Sequence, residues 1–250
     1  MTAAEAASVS ESFVNAVEVR DGVDVVLCPP YLSIEAVQEK TKGNAVHVGA
    51  QNVFWMPKGA FTGQVSASML RAAGCEYCIV GHSETRGRFG KLEIPAETVC
   101  HFGDTDHTVN LKIGALLEQG IVPILCVGET QGERDASMTD AVITSQLEKA
   151  LVGHEPASLA SLVVAYEPVW AIGTGNVCDT PEAERVCSMV RTILGEIIGE
   201  ELSEGNRVLY GGSVKSSSAK ELFSQPNIDG GLVGGASLDP VEFAAIVASA

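Results

Sequence analysis

Short runs of β-branched and other apolar residues recur along the chain. Each is followed by a stretch in which apolar positions return at helical spacing. The runs are Val23–Cys28, Val46–Ala50, Tyr77–Val80, Val122–Val127, Leu162–Tyr166, Arg207–Tyr210 and Gly231–Val233. The helical patterns include Val65–Ala73, Thr108–Gln119, Ala141–Leu151 and Pro181–Ile198, and a further one opens the chain at about Ala3–Val17. The strand runs are apolar on both faces, as strands buried in a parallel sheet must be. Strict alternation of the two patterns predicts a parallel sheet with helices packed outside it. Thr180-Pro181-Glu182 reads as a helix start: a hydroxyl cap, a proline in the first turn, then an acid at the positive end of the dipole.

Seven strands are one short of the eight that close a parallel β/α barrel. Two architectures fit: an open, doubly wound sheet, or a (β/α)8 barrel whose first strand is missing from the front of the sequence. No Pro/Gly/Ser-rich linker divides residues 1–250, so a single domain is expected. The stretch from Gly87 to Asp106 is too long for an ordinary strand-to-helix loop. It holds two similar pieces, Phe89-Gly90-Lys91 and Phe102-Gly103-Asp104. Its polarity predicts a surface excursion that takes no part in building a site.

Composition narrows the function classes. Hydrophobic residues make up 46% of the chain and charged ones 19%, an ordinary balance for a globular protein. No apolar run is long enough to span a membrane, and the polar, acidic start has no secretory pattern. A net charge of −16 argues against nucleic acid, whose phosphates need a basic footprint. Seven cysteines at irregular spacing predict reduced thiols in a cytoplasmic protein rather than a disulfide framework. Cys75-Glu76-Tyr77-Cys78 has redox-motif spacing but runs into a strand, which favours structural thiols. Cys100, His101, Asp104, Asp106 and His107 are metal-ligand types without any defined metal spacing.

Chemistry-bearing residues stand where the strand runs end. His82 follows Cys78–Gly81, Glu129 follows Leu125–Gly128, and Glu167 follows Val163–Tyr166; Gly211-Gly212-Ser213 and Gly234-Gly235 follow the last two runs. In a parallel barrel these ends share one face, where such barrels place active sites. A shielded carboxylate serves as a base, a neutral imidazole can donate to a developing oxyanion, and glycine turns bring backbone N–H groups close to a phosphate. The pattern is that of a proton-transfer site beside an anion site. Pro168-Val169-Trp170 followed by Ala171–Gly175 reads as a stiff hinge and a mobile lid.

Ala165-Tyr166-Glu167-Pro168-Val169-Trp170-Ala171-Ile172-Gly173-Thr174-Gly175 resembles the signature of the triosephosphate isomerase family. Five further blocks resemble it in the family's order: Gly59–Gly63, Ile79–Glu84, Ile124–Glu129, Tyr210–Val214 and Leu232–Leu238. The resemblance implies a barrel that interconverts dihydroxyacetone phosphate and glyceraldehyde 3-phosphate through an enediolate, in glycolysis and gluconeogenesis. It assigns proton transfer to Glu167 and carbonyl polarisation to His82. It assigns phosphate binding to N–H groups of Gly173, Ser213, Gly234 and Gly235, and supporting places to Glu84, Cys126, Asp104 and Tyr210, the last latching the lid. It implies no metal and no organic cofactor. It also implies a homodimer in which the Thr62 loop reaches the partner subunit.

The chain departs from the family pattern in two regions. Gln64 and Thr85 stand where the family usually has glutamate and arginine, and Asp104 stands for a glutamate. Together these predict a rewired charge network in which a cation and its acid were lost together. At the front, the family's Gly-Asn-Trp-Lys-Met-Asn segment has no counterpart, so its asparagine and lysine map onto no residue. An impaired barrel that binds phosphometabolites or serves as a subunit partner is therefore the alternative to an active isomerase.

Overall fold

A computed structural model describes residues 1–250. The strands are β1 Val25–Leu27, β2 Val46–Ala50, β3 Tyr77–Val80, β4 Val122–Val127, β5 Val163–Tyr166, β6 Arg207–Tyr210 and β7 Gly230–Gly231. The first five helices are α1 Ala3–Ala16, α2 Ile34–Thr41, α3 Ala67–Ala72, α4 Asp106–Glu118 and α5 Gln131–Asp135. The rest are α6 Thr139–Leu151, α7 Thr180–Ile198, α8 Glu200–Ser203, α9 Ser216–Phe223 and α10 Pro240–Val247. All pairings are parallel, and the strands lie in sequence order. A doubly wound sheet would reverse its order part-way. The arrangement is a singly wound sheet curled into a half-barrel, which settles the choice between the two architectures.

The predicted runs and the observed strands agree closest in the middle of the sheet. Both edge strands are shorter than their runs: β1 starts at Val25, and β7 is a two-residue ladder displaced toward Gly230. Each edge pairs on one side only, so fewer backbone groups are fixed there. Beyond β7 the chain keeps one more bond, from Leu232 N to Tyr210 O at 2.9 Å.

Strand alternation divides the core into two. Ile79, Ile124, Cys126, Val163 and Ala165 point inward and form a separate buried cluster, against which Cys28, Tyr77 and Leu209 pack. Register explains that layering: Ile79 lies opposite Ile124, which lies opposite Val163, and Cys126 lies opposite Ala165. The intervening Val80, Leu125, Val127, Val164 and Tyr166 face the helices in the larger core.

β1 and β7 do not pair with each other. The helical layer nonetheless runs across that opening. Phe13 of α1 stacks on Phe243 of α10 with ring centroids 4.8 Å apart. Arg20 donates to the carbonyls of Ala248, at 2.5 Å, and Ala250. At the opposite rim Asp24, just ahead of β1, pairs with Arg207 of β6 and accepts from Tyr77 Oη at 3.3 Å.

One local expectation is corrected. The cap of α7 is Asp179, whose carboxylate accepts from Glu182 N at 2.9 Å. Thr180 is the first helical residue instead, its hydroxyl donating to Glu221 at 2.7 Å. A carboxylate is the stronger partner for the positive helix end. The Gly87–Asp106 stretch also divides: Lys91, Leu92 and Glu93 are exposed, whereas Gly87–Gly90 is half-buried. Ile94, Thr98, Val99, Asp104 and Asp106 are half-buried too, so the stretch lies along the surface rather than standing off it.

Candidate active site

β5 delivers Glu167 one residue beyond its end, where its N–H still bonds Val127 O of β4 at 2.7 Å. Two glycines make the space. A Cβ on Gly128 would sit 1.7 Å from the Glu167 carbonyl oxygen, and one on Gly211 would sit 3.1 Å from Glu167 Cγ. The carboxylate is almost wholly buried, at 2% exposure. It is not left unpaired, as burial requires. Ser83 N donates to Oε2 at 2.9 Å, Ser83 Oγ to Oε1 at 3.3 Å, and His82 Nε2 lies 2.8 Å from Oε1. Cys126 lies wholly buried beside them, its thiol pKa pushed far up by burial and then by the Glu167 charge.

His82 follows β3 in the same way. Glu84 N donates to its Nδ1 at 3.3 Å, which leaves Nε2 to carry the proton that Glu167 accepts in the neutral tautomer. Burial opposes a charge on this imidazole, yet the hydrogen bond and charge of Glu167 outweigh it and hold the pKa above its ordinary value. Glu84 itself supports the ring through its backbone; its carboxylate is exposed and 3.9 Å from Nδ1.

Asp104 does not touch either group. Both its oxygens pair with Lys112 Nζ at 2.6 Å, and Lys112 also donates to Asn52 at 2.8 Å. Asp104 therefore has a cation of its own, which arrives from α4. Asp104 reaches the site through Thr85, whose carbonyl accepts from Asp104 N at 3.0 Å and whose hydroxyl donates to His82 O at 2.9 Å. Asp106 is paired too, with Arg86 at 2.6 Å.

The segment expected to form the lid leaves Glu167 through Pro168. Trp170 Nε1 and Tyr166 Oη both donate to Glu129 Oε1, at 2.9 and 3.2 Å, while Arg134 covers the Trp170 ring at 4.1 Å. Glu129 is fully buried with its Oε2 unpartnered, and burial raises its pKa despite those bonds. Beyond the hinge, Thr174 Oγ1 ties back to Trp170 O at 2.9 Å. Gly173 has a φ of 70°, a turn that a side chain would strain. Tyr210 is buried at the far end of the lid, its hydroxyl donating to Cys178 O at 3.5 Å.

Gly173, Ser213, Gly234 and Gly235 all stand exposed on three separate loops above the strand ends. The structure thus brings His82, Glu167 and Cys126 into contact and leaves the four expected phosphate ligands on the rim. Sequence reasoning missed Ser83, Arg86, Arg88 and Lys112. Lys112 carried a signal: it sits on α4 among Val109, Ile113 and Leu116, and a lone cation on an apolar face requires a buried acid.

Strand ends gathered on one rim, helices outside them and a buried acid at one strand end mark a β/α-barrel enzyme. Sequence comparison narrows that class. A family model described as triosephosphate isomerase matches residues 1–250, and the chain belongs to the triosephosphate isomerase family. A protein named triosephosphate isomerase from Symbiobacterium thermophilum is 47% identical over 229 residues, covering 92% of this chain and 84% of that protein. One of the same name from Moorella thermoacetica is 48% identical over 224 residues, covering 90% and 84%. Another from Rhodopirellula baltica is 44% identical over 250 residues, covering 100% and 93%.

Proposed function

We propose that the chain interconverts dihydroxyacetone phosphate and glyceraldehyde 3-phosphate by carrying a proton between two adjacent carbons. The family and its named relatives support an isomerase. The observation that carries the site assignment is Glu167, buried at the end of β5 in contact with His82 and continuous with the lid. Substrate entering between them takes over the partners that Glu167 now uses. The freed carboxylate then removes a proton from one carbon and returns it to the other. His82, donating from Nε2, stabilises the enediolate oxygen that forms in between. The lid brings the Gly173 N–H to the phosphate, joining Ser213, Gly234 and Gly235. Shielding from water strengthens each of these interactions.

Glu167→Gln tests the assignment. A carboxamide keeps the shape but accepts no proton, so turnover falls by about 10²–10⁴-fold or more while a phosphorylated analogue still binds. Near-normal turnover would sink the assignment. Nothing observed favours the alternative of an impaired barrel.

Two finer points belong to the same reading. The chain works as a homodimer in which the Thr62 loop inserts into its partner. In support, residues 56–64 are exposed, and Phe61 packs on Phe54, which packs on Trp55, with centroids 4.9 and 4.2 Å apart. A half-buried aromatic pair topped by an exposed Phe61 suits a partner surface. The protein acts in the cytoplasm on a soluble substrate; no helix is long and apolar enough to cross a membrane.

A further inference from the structure

We propose that Arg88-Phe89-Gly90, at the start of the Gly87–Asp106 excursion, is a positioning strip for Glu167 and the lid, with Arg88 its positioning residue. The inference rests on the isomerase reading above and adds to it a part that the catalytic residues do not contain.

The strip touches the machinery at three places. Arg88 N donates to Ser83 O at 2.9 Å, and Ser83 is the residue whose own N–H holds Glu167 Oε2. The Arg88 guanidinium donates to Gly128 O at 3.0 Å and to both oxygens of Glu133, one at 3.1 Å. Gly128 is the residue pressed against the Glu167 carbonyl, so Arg88 grips the wall that fixes the catalytic backbone. Gly90 meets the lid itself. A Cβ there would sit 2.2 Å from Val169 O and 2.3 Å from Ile172 O, which means that the strip backbone lies directly on the entrance hinge. Lys91 follows with its Cβ 3.9 Å from where one on Gly173 would stand.

The strip is anchored independently of the lid. Phe89 packs edge-on against Phe102, ring centroids 5.5 Å apart, just ahead of α4. Glu133 is itself held by Thr130 N at 2.7 Å and Thr130 Oγ1 at 2.8 Å. A lid that rests on a fixed surface has fewer open conformations to lose on closing. A base whose wall is fixed stays aligned with the carbon it attacks, and small misplacements there are costly.

The test compares Arg88→Met, Arg88→Lys and Gly90→Ala with the unaltered protein. Steady-state turnover is measured with glyceraldehyde 3-phosphate, and hydrogen exchange of lid amides 169–176 is measured without ligand. Arg88→Met lowers kcat by about tenfold to a hundredfold while KM stays within about twofold, because alignment rather than binding is lost. Arg88→Lys, which keeps one donor, recovers part of kcat. Both Arg88→Met and Gly90→Ala speed lid exchange by at least about threefold. An unchanged kcat in Arg88→Met, a loss that lysine does not partly restore, or lid exchange unaffected by both variants overturns the proposal. If the unaltered protein fails to isomerise triose phosphates, the function reading falls, and the exchange measurement still decides the strip.

Discussion

Gly128→Ala puts the geometry around Glu167 to a direct test. The new methyl would lie 1.7 Å from the Glu167 carbonyl oxygen, whereas real Cβ atoms essentially never approach within 3.0 Å. The two backbones must therefore separate by about 1.3 Å, because neither side presents a flexible group that could turn away. Gly128 is held by Gln146 on both its N–H, at 2.8 Å, and its carbonyl, at 3.2 Å, and by Arg88 as well. Most of the displacement therefore falls on Glu167 and moves the carboxylate by about 1 Å. A shift of that size costs about 10²-fold in rate, or about 2.7 kcal/mol of transition-state stabilisation. Overpacking itself costs about 1–3 kcal/mol of folding stability, a fall of about 2–12 °C in Tm for a chain of this size. Steady-state kinetics beside a thermal melt separates the two effects. A folded Gly128→Ala variant with kcat within about threefold of the parent would refute the claim that this contact sets the position of the base.

Replacing His82 with Ala lowers kcat by about 10²-fold or more and weakens phosphate-analogue binding far less, since the imidazole acts on charge that develops during reaction; equal, modest losses in both would mark a structural histidine. Lys112→Met leaves Asp104 buried without its cation and costs about 3–5 kcal/mol by denaturant unfolding, and Lys112→Met with Asp104→Leu recovers most of it; a single variant as stable as the parent would contradict the pairing. The His82 pKa is raised in the unliganded protein, so its contribution to stability is complete below its unfolded pKa near 6.5 and is lost as pH rises through the folded value. Glu133 and Glu182 have lowered pKa values; burial resists the shift in Glu133 but Arg88 and Thr130 outweigh it, and Arg185 leads in Glu182. Their stability is present above the usual glutamate range and is lost as pH falls through the lowered values, and Arg88→Met reduces the Glu133 share of that acid-side slope.

The strands were legible because buried parallel strands are apolar on both faces and need no knowledge of their neighbours. β2, β3 and β4 agree with their runs residue for residue, having partners on both sides. The Gly230–Gly231 edge was not legible, since two glycines carry no hydrophobic signal and their pairing depends on β6 alone. Glu167 and His82 were legible from strand ends and from resemblance. Their mutual contact was not, because it depends on how far β3 and β5 advance toward the same rim. The Asp104 partner, Lys112, was not legible, because it arrives from two turns along α4. The role of Gly90 was invisible for a different reason: close approach of two backbones leaves no trace in side-chain pattern.

The meeting of α1 and α10 across the unpaired edges has a consequence for how the chain is made. Phe13 and Phe243 stack, and Arg20 binds the carbonyls of Ala248 and Ala250, so α1 completes its packing only with residues made far later in the chain. At about 5–20 residues per second, some ten to fifty seconds separate the emergence of the two. During that interval the apolar face of α1 has α2 to pack on but not its other neighbour, and the contact that bridges the sheet opening has the greatest sequence separation in the fold. Cooperative folding of the whole is thus deferred until α10 has been made, which makes the nascent chain, more than the folded one, the state exposed to aggregation and to chaperones.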